Sequence, residues 1–381
     1  MSRLSGRERR GTGGKLMKRF TGRLAIAALV LVIGLGVAAC GGDDDEESGG
    51  ATTAATTTEE AGDVEFSGSL ETEVPVGYDE PEEGDFRIAY LNPLGANEFL
   101  STLGNAMKLE TERLGGSYLE LDAKGDVDTQ VSQFEQLIAQ DVDGIFVFAL
   151  DPGSVQPALT RAKAADIPVV TIDLTFESTT DIGDFDSQIW QRRDEAAYLG
   201  AKEMASRVDE GASVATIDFA VKVPSIVYSI DRAKHWADQY GLTVVGNGTN
   251  PSDDIAGGEK AMTEILGAHP DIAGVIGYND PSAIGAAAAA RSQGNTDLVF
   301  GGQNGGSDAF EAIRAGRLTY SAKLDPPSMG KFAAWGLYNL LQGNEVPKTV
   351  KAEEPVIVTS DNVDDEQTWD EQLQEEYGKS E

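Results

Sequence analysis

Residues 131–150 read VSQFEQLIAQDVDGIFVFAL. A helix over about 128–140 gives way, through a short acidic turn, to a strand that is apolar almost throughout, as a central parallel strand buried on both faces must be. The same alternation extends upstream. FRIAYL (86–91) reads as a strand, and residues 99–114 place Phe99, Leu103, Met107, Leu109 and Leu114 near helical spacing before Gly115-Gly116 ends the helix. YLELDA is the next strand. Downstream, a helix over 154–165 precedes IPVVTID (167–173). Strands separated by helices of this length require right-handed crossovers and a doubly wound parallel sheet. The pattern then restarts: a helix over 193–208, SVATIDF, a helix over 230–240, LTVVGNG, a helix over 257–268, GVIGYND, an alanine-rich helix over 282–293, LVFGG and a helix over 308–315. The expected fold is α/β, with two doubly wound parallel-sheet lobes of similar size.

The chain has 381 residues, 40% hydrophobic and 25% charged, enough for two domains at roughly 100–200 residues each. Its net charge of −34 excludes an electrostatic nucleic-acid binder, which gains affinity by neutralising phosphates. One cysteine, Cys40, rules out an internal disulfide or a multi-cysteine zinc site. Two histidines, His235 and His269, leave little for a His-rich metal centre. No cofactor is expected, and a monomer is.

Lys18, Arg19 and Arg23 precede an apolar run over 24–39 that closes on LGVAAC at Cys40. A basic start, an apolar stretch short of the ~20 residues that span a bilayer, and small terminal residues make residues 1–40 a secretory signal peptide. LGVAAC resembles a bacterial lipobox, which makes Cys40 the expected lipidation site and the attachment to the outer face of the cell membrane. MKRF at Met17 is itself a complete signal start, so either Met1 or Met17 serves as initiator. Residues 41–84 carry few apolar groups and an acidic bias, and read as a disordered tether of roughly 35–40 Å reach. Phe66, Val74, Val76 and Tyr78 are its candidates for docking on the folded body.

Open parallel sheets bind ligands at the carboxyl ends of their strands. Two facing sheets would therefore line a cleft with residues 92–99, Asn97 and Phe99 among them, residues 148–151 from Phe148, Asp173, Asn279-Asp280 and Gln303-Asn304, all just beyond strand ends. Amides and carboxylates pair with adjacent hydroxyls, and an aromatic face covers the C–H face of a sugar ring. Catalytic patterns are missing: Gly305-Gly306-Ser307-Asp308-Ala309 lacks the final glycine of a nucleophile elbow, and neither a phosphate loop nor a dinucleotide fingerprint occurs.

From Phe86 to about Thr359 the chain resembles the type I periplasmic sugar-binding proteins of ATP-binding-cassette (ABC) importers, near the ribose-binding group. The resemblance rests on Asn97-Glu98-Phe99, VSQFEQLIAQDVDGIFV, IPVVTID, AHPDIAGVIGYNDPSAIGAAAA, EAIRAGRLT and MGKFAAWGLYNLLQGNEVPKTV, in this order. It implies two lobes joined by a three-strand hinge: 85–183 with 326–352, and 184–325 with 353–381, crossing near Asp184, Leu324-Asp325 and Ala352. It implies that Asn97 and Phe99 supply an amide and a stacking aromatic, Asp173 a carboxylate for two ligand hydroxyls, and Asn279 the amide of the opposite lobe. Departures are Leu100 for a second aromatic, Leu174 and Ile230 for arginines, Asn304 for an aspartate, Leu324 for a hinge glutamine and Phe148 for an asparagine. The stretch 175–190, with Phe176, Phe185 and Trp190, is atypical, and Phe185 joins the candidate ligand contacts. Loss of two guanidinium donors argues against ribose itself. The function expected is capture of a small sugar-like solute and delivery to an ABC permease, without catalysis. The alternative is a sensor that feeds a chemoreceptor or kinase.

Overall fold

The computed structural model describes residues 64–66 and 73–378; the signal segment, Cys40 and residues 41–63 and 67–72 of the tether lie outside them. Among the described residues, two six-stranded sheets organise the fold. The first holds β1 (Arg87–Asn92), β2 (Ser117–Asp122), β3 (Gly144–Val147), β4 (Val169–Ile172), β5 (Ser187–Trp190) and β11 (Thr349–Lys351), in the order β11-β5-β4-β3-β1-β2. The second holds β6 (Ser213–Phe219), β7 (Thr243–Asn250), β8 (Gly274–Gly277), β9 (Val299–Asn304), β10 (Tyr320–Lys323) and β12 (Val356–Thr359), in the order β12-β10-β9-β8-β6-β7. Every pairing is parallel except β10 with β12. The central β3 and β8 are buried along their whole length.

The first sheet carries α1 (Glu98–Arg113), α2 (Val127–Ala139), α3 (Pro152–Ala164) and α9 (Pro326–Leu341). The second carries α4 (Arg193–Ala205), α5 (Pro224–Gln239), α6 (Ile255–Ala268), α7 (Asp280–Ser292) and α8 (Ser307–Arg314). Side chains fix many of the helix starts: Asn97, Asp126, Asp151, Asp254, Asn279 and Asp325 each accept a backbone N–H of the first turn. Helix α5 begins at Pro224, six residues before the sequence expectation, because proline supplies its first helical position without an orphaned donor. Helices α6 and α7 meet backbone to backbone: a Cβ on Gly285 would stand 2.0 Å from the Ile255 carbonyl oxygen.

The lobe boundaries differ from those the sequence suggested. The segment SQIW pairs with β4 and β11, so the first crossing comes at Gln191-Arg192, after β5, and not near Asp184. The C-terminal segment leaves the second sheet at Thr359 and returns to the first lobe as α10 (Trp369–Tyr377). Leu373 packs with Ala106 and Leu109 of α1, and Trp369 enters the first lobe's core. A capping box between Thr368 and Glu371 starts this helix. Residues 353–381 therefore do not all belong to the second lobe.

The docking candidates of the tether meet the folded body. Val74 and Tyr78 are buried, Tyr78 hydrogen-bonds Ser187 at 2.8 Å, and Val76 bridges to Lys351 beside the β11 edge. On the second lobe, Phe66 sits 5.3 Å from the ring of Tyr198 and 5.6 Å from that of Trp236, while Tyr198 donates its hydroxyl to the Val64 carbonyl.

Trp369 touches Phe99 edge to face at 5.8 Å and donates its indole N–H to the Leu324 carbonyl at 2.9 Å. Trp369→Ala is expected to cost about 3–5 kcal/mol of unfolding free energy, the range for buried Trp truncation. Denaturant unfolding checks this; a loss below about 1 kcal/mol would show that α10 is not fastened in solution.

Candidate functional site

The carboxyl ends of both sheets face one cleft, and helix caps decide which way its polar side chains point. Asn97 caps α1: its Oδ1 accepts the Leu100 N–H, which leaves Nδ2 to donate across the cleft to Asp253 Oδ2 at 2.9 Å. Asn279 caps α7 in the same way through the Ser282 N–H, and its Nδ2 donates to Asp253 Oδ1 at 2.8 Å. The Tyr278 hydroxyl donates to the same oxygen. Asp253 lies between β7 and α6 with φ of 59°, in the left-handed region that aspartate tolerates better than most residues. Burial pushes its carboxyl above the usual range, and the three donors oppose that shift.

The Asn97–Asp253 bridge stands between two chambers that share Asn97, Phe99, Asp253 and Asn304 as walls. The inner cavity, of about 80 Å³, is lined mainly by Leu94, Leu100, Phe148, Phe219, Val223 and Tyr278 with Asn279, Ser225 and Arg193. The outer crevice, of about 430 Å³, opens past Glu98, Asp254, Asp280, Asp308 and Trp369. Further contacts hold the lobes together. The Ser307 N–H, at the start of α8, donates to the Glu98 carboxylate at 3.1 and 3.2 Å, and Phe176 stacks on Tyr228 with centroids 3.8 Å apart. The described conformation is closed.

Of the residues singled out by sequence, the structure brings Asn97, Phe99, Phe148, Asn279 and Asn304 to the cleft wall. Three stand elsewhere. Phe185 is 1% exposed in the first lobe's core. Asp173 is buried behind the inner cavity, with φ of 45°; its Oδ1 accepts the Gln191 N–H at 2.9 Å and its Oδ2 meets Arg193 Nε at 3.3 Å. Gln303 also backs Arg193, with Oε1 3.4 Å from a guanidinium nitrogen and 2.6 Å from the Ser229 hydroxyl. The third guanidinium nitrogen, Nη2, donates to Gln191 Oε1 at 2.7 Å. Arg193, the first residue of α4, is therefore the cleft's basic group, and Asp173 positions it from the opposite lobe. Burial raises the Asp173 carboxyl to about 6, with Arg193 pulling the other way.

Asp253, Arg193, Ser225, Phe219 and Tyr278 were not singled out by sequence. Asp253 obeys the strand-end rule, but the rule needs the true end of β7, at Asn250, two residues beyond LTVVGNG.

Asp280 sits inside the second lobe, where its Oδ2 accepts the Gly305 N–H at 2.7 Å and its Oδ1 the Ser321 hydroxyl at 2.6 Å. Burial raises this carboxyl to about 7 against these donors. A folded-state value above the unfolded one means that the folded protein holds the extra proton between about pH 4 and 7. The stabilisation is present at the acid end and is lost as pH rises. Asp280→Asn keeps one acceptor for the glycine N–H groups and a donor for Ser321. The unfolding free energy of the wild type relative to Asp280→Asn should fall steadily from pH 4 to pH 7 in denaturant titrations. A flat or rising difference would contradict the buried ionisation.

Comparison with known proteins agrees with this architecture. Residues 88–345 match the periplasmic binding protein domain family. The chain is 31% identical over 261 residues to the ribose import binding protein RbsB of Bacillus subtilis, covering 67% of this chain and 82% of that protein. It is 27% identical over 246 residues to the xylitol-binding protein of Mycolicibacterium smegmatis, covering 64% of this chain and 68% of that one. An ABC transporter solute binding protein from Mycobacterium smegmatis, solved with bound glycerol, superposes with a TM-score of 0.66 at 26% identity, covering 75% of this chain and 98% of that chain. With this fold and cleft, the chain belongs to the periplasmic binding protein family, whose members bind solutes outside the cytoplasm and do not catalyse.

Proposed function

We propose that this protein captures a small sugar-like solute in its interlobe cleft and presents it to an ABC permease, from a lipid anchor at Cys40. The observation that carries the reading is the pair of capping amides, Asn97 and Asn279, that reach one cleft from opposite lobes beside the rings of Phe99 and Phe148. Amides held by helix caps lose little freedom on binding, and the rings offer flat apolar faces to a sugar's C–H face. The relatives' printed roles, ribose import and xylitol binding, lie in the same chemical class. Solute would favour the closed state by its differential affinity for it, because only closure brings Asn97 and Asn279 to the same molecule. The closed lobes then form the surface a permease reads. The reading of residues 1–40 as a lipoprotein signal supports the anchor, and attachment raises the local concentration near the permease.

Thermal unfolding against pentoses, hexoses, polyols and cyclitols tests capture. A true solute at 100 times its dissociation constant should add about 2.7 kcal/mol. Asn279→Ala and Phe148→Ala should each weaken that solute tenfold or more; a response that survives both substitutions places the solute outside this cleft. For the anchor, Cys40→Ala should move the secreted protein from the membrane fraction to the medium or periplasm. Unchanged membrane association would remove Cys40 from the account.

A further inference from the structure

Asp253 takes both its oxygens into hydrogen bonds with neutral donors, and the geometry of those donors specifies an anion. Each capping amide has its oxygen committed to a backbone N–H, so each can offer Asp253 only an N–H. One N–H arrives on each carboxylate oxygen, with the Tyr278 hydroxyl on Oδ1 as a third donor. Among the described residues neither Lys nor Arg bonds to this carboxylate, and a charged neighbour that acts on it is another acid, Asp254. The cleft's one arginine is committed to Asp173, Gln191 and Gln303. A partly buried carboxylate held as an acceptor without a side-chain counter-cation is a charge that a positive group from outside the protein would balance.

Two further observations point to what that group is. Ser225 is 1% exposed, lines the inner cavity, and its hydroxyl has no hydrogen-bond partner among the described residues. The side-chain oxygen of Asn304, in the same wall, is buried and also unpartnered. An ammonium group carries three N–H donors and no acceptor. Asp253, Asn304 and Ser225 are three acceptors around one small cavity. The approach has the same polarity: the outer crevice is lined by the acids Glu98, Asp253, Asp254 and Asp308, with the Asp280 carboxyl turned into the second lobe, and by no lysine, arginine or histidine. Helices α1, α6, α7 and α8 begin around it, and at roughly +0.5 each they offset no more than about two of those charges. A cleft of one sign with apolar walls draws in ligands of the other sign. Phe99 and Trp369, on the same crevice, offer ring faces that attract cations.

We propose that the solute is a cation: a small polyhydroxylated molecule, such as an amino sugar or an amino polyol, whose protonated amine binds Asp253, Asn304 and Ser225. This rests on the sugar-like reading given above and narrows it, with Asp253 as the residue that selects amine over hydroxyl. A neutral sugar would satisfy the acceptors with hydroxyls and leave the Asp253 charge unbalanced.

Isothermal titration calorimetry on the full chain at pH 7 decides the matter with matched pairs: D-glucosamine against D-glucose, 1-amino-1-deoxy-D-sorbitol against D-sorbitol, and serinol against glycerol. The amine member of at least one pair should bind tenfold or more tighter than its hydroxyl partner, and Asp253→Asn should reduce that preference to less than threefold. Equal or tighter binding of the neutral members overturns the inference and leaves sugar capture standing. A preference that survives Asp253→Asn overturns the role of Asp253. Silence of all six probes contradicts the sugar-like reading and the inference together. The wild-type comparison needs no variant, so it decides the question even where Asp253→Asn fails to fold.

Discussion

The meeting of Asn97 and Asn279 on the carboxylate of Asp253 is the constraint around which the cleft is arranged. Two helices from opposite lobes, α1 and α7, each spend one side of a capping amide on their own first turn and send the other side to the same acid. The amides cannot turn without uncapping a helix, which typically costs about 1 kcal/mol. Closure of the lobes and the polarity of the binding site are thereby set by the elements that start the helices. The same bridge separates an inner, largely apolar chamber from an outer, acidic one, so a solute must displace or complete it.

The second layer holds this arrangement in register. Arg193 opens α4 directly after the chain crosses from the first sheet, and Asp173, Gln191 and Gln303 gather on its guanidinium. The carboxylate that the family resemblance assigned to ligand hydroxyls here bonds the Gln191 N–H and Arg193. Besides the contacts across the cleft, two chain segments outside the sheets also reach both lobes. Trp369 inserts beside Phe99 after β12 has paired in the second sheet, and the segment before β1 touches the second lobe through Phe66 and the first through Tyr78. Hinge motion in this chain must accommodate both, and Trp369 ties it to the crevice wall.

The two parallel-sheet lobes and most helices were legible because apolar strands such as GIFV and GVIG alternate with amphipathic helices. Asn97, Phe99, Phe148, Asn279 and Asn304 followed from the rule that parallel strands end at a site. Other features were hidden for identifiable reasons. The strand SQIW is four residues long, lies beyond an irregular loop, and declares itself only through its pairing with β4 and β11. Helix α10 is short and mostly polar, and its place in the first lobe depends on contacts of Trp369 and Leu373 that no local pattern announces. Asp253 looked like one acid among 64, and only the convergence of two capped amides distinguishes it.

A double-mutant cycle on unfolding free energy, with Asn97→Ala, Asp253→Ala and their combination in the absence of solute, tests the central contact most directly. The cycle cancels the loss of the α1 cap, which both backgrounds share. Residues in one hydrogen-bond network couple by about 0.5–3 kcal/mol, and a favourable coupling in that range is the predicted result. Additivity within error would mean that the lobes do not meet through Asp253 in solution, and would contradict the account of the cleft.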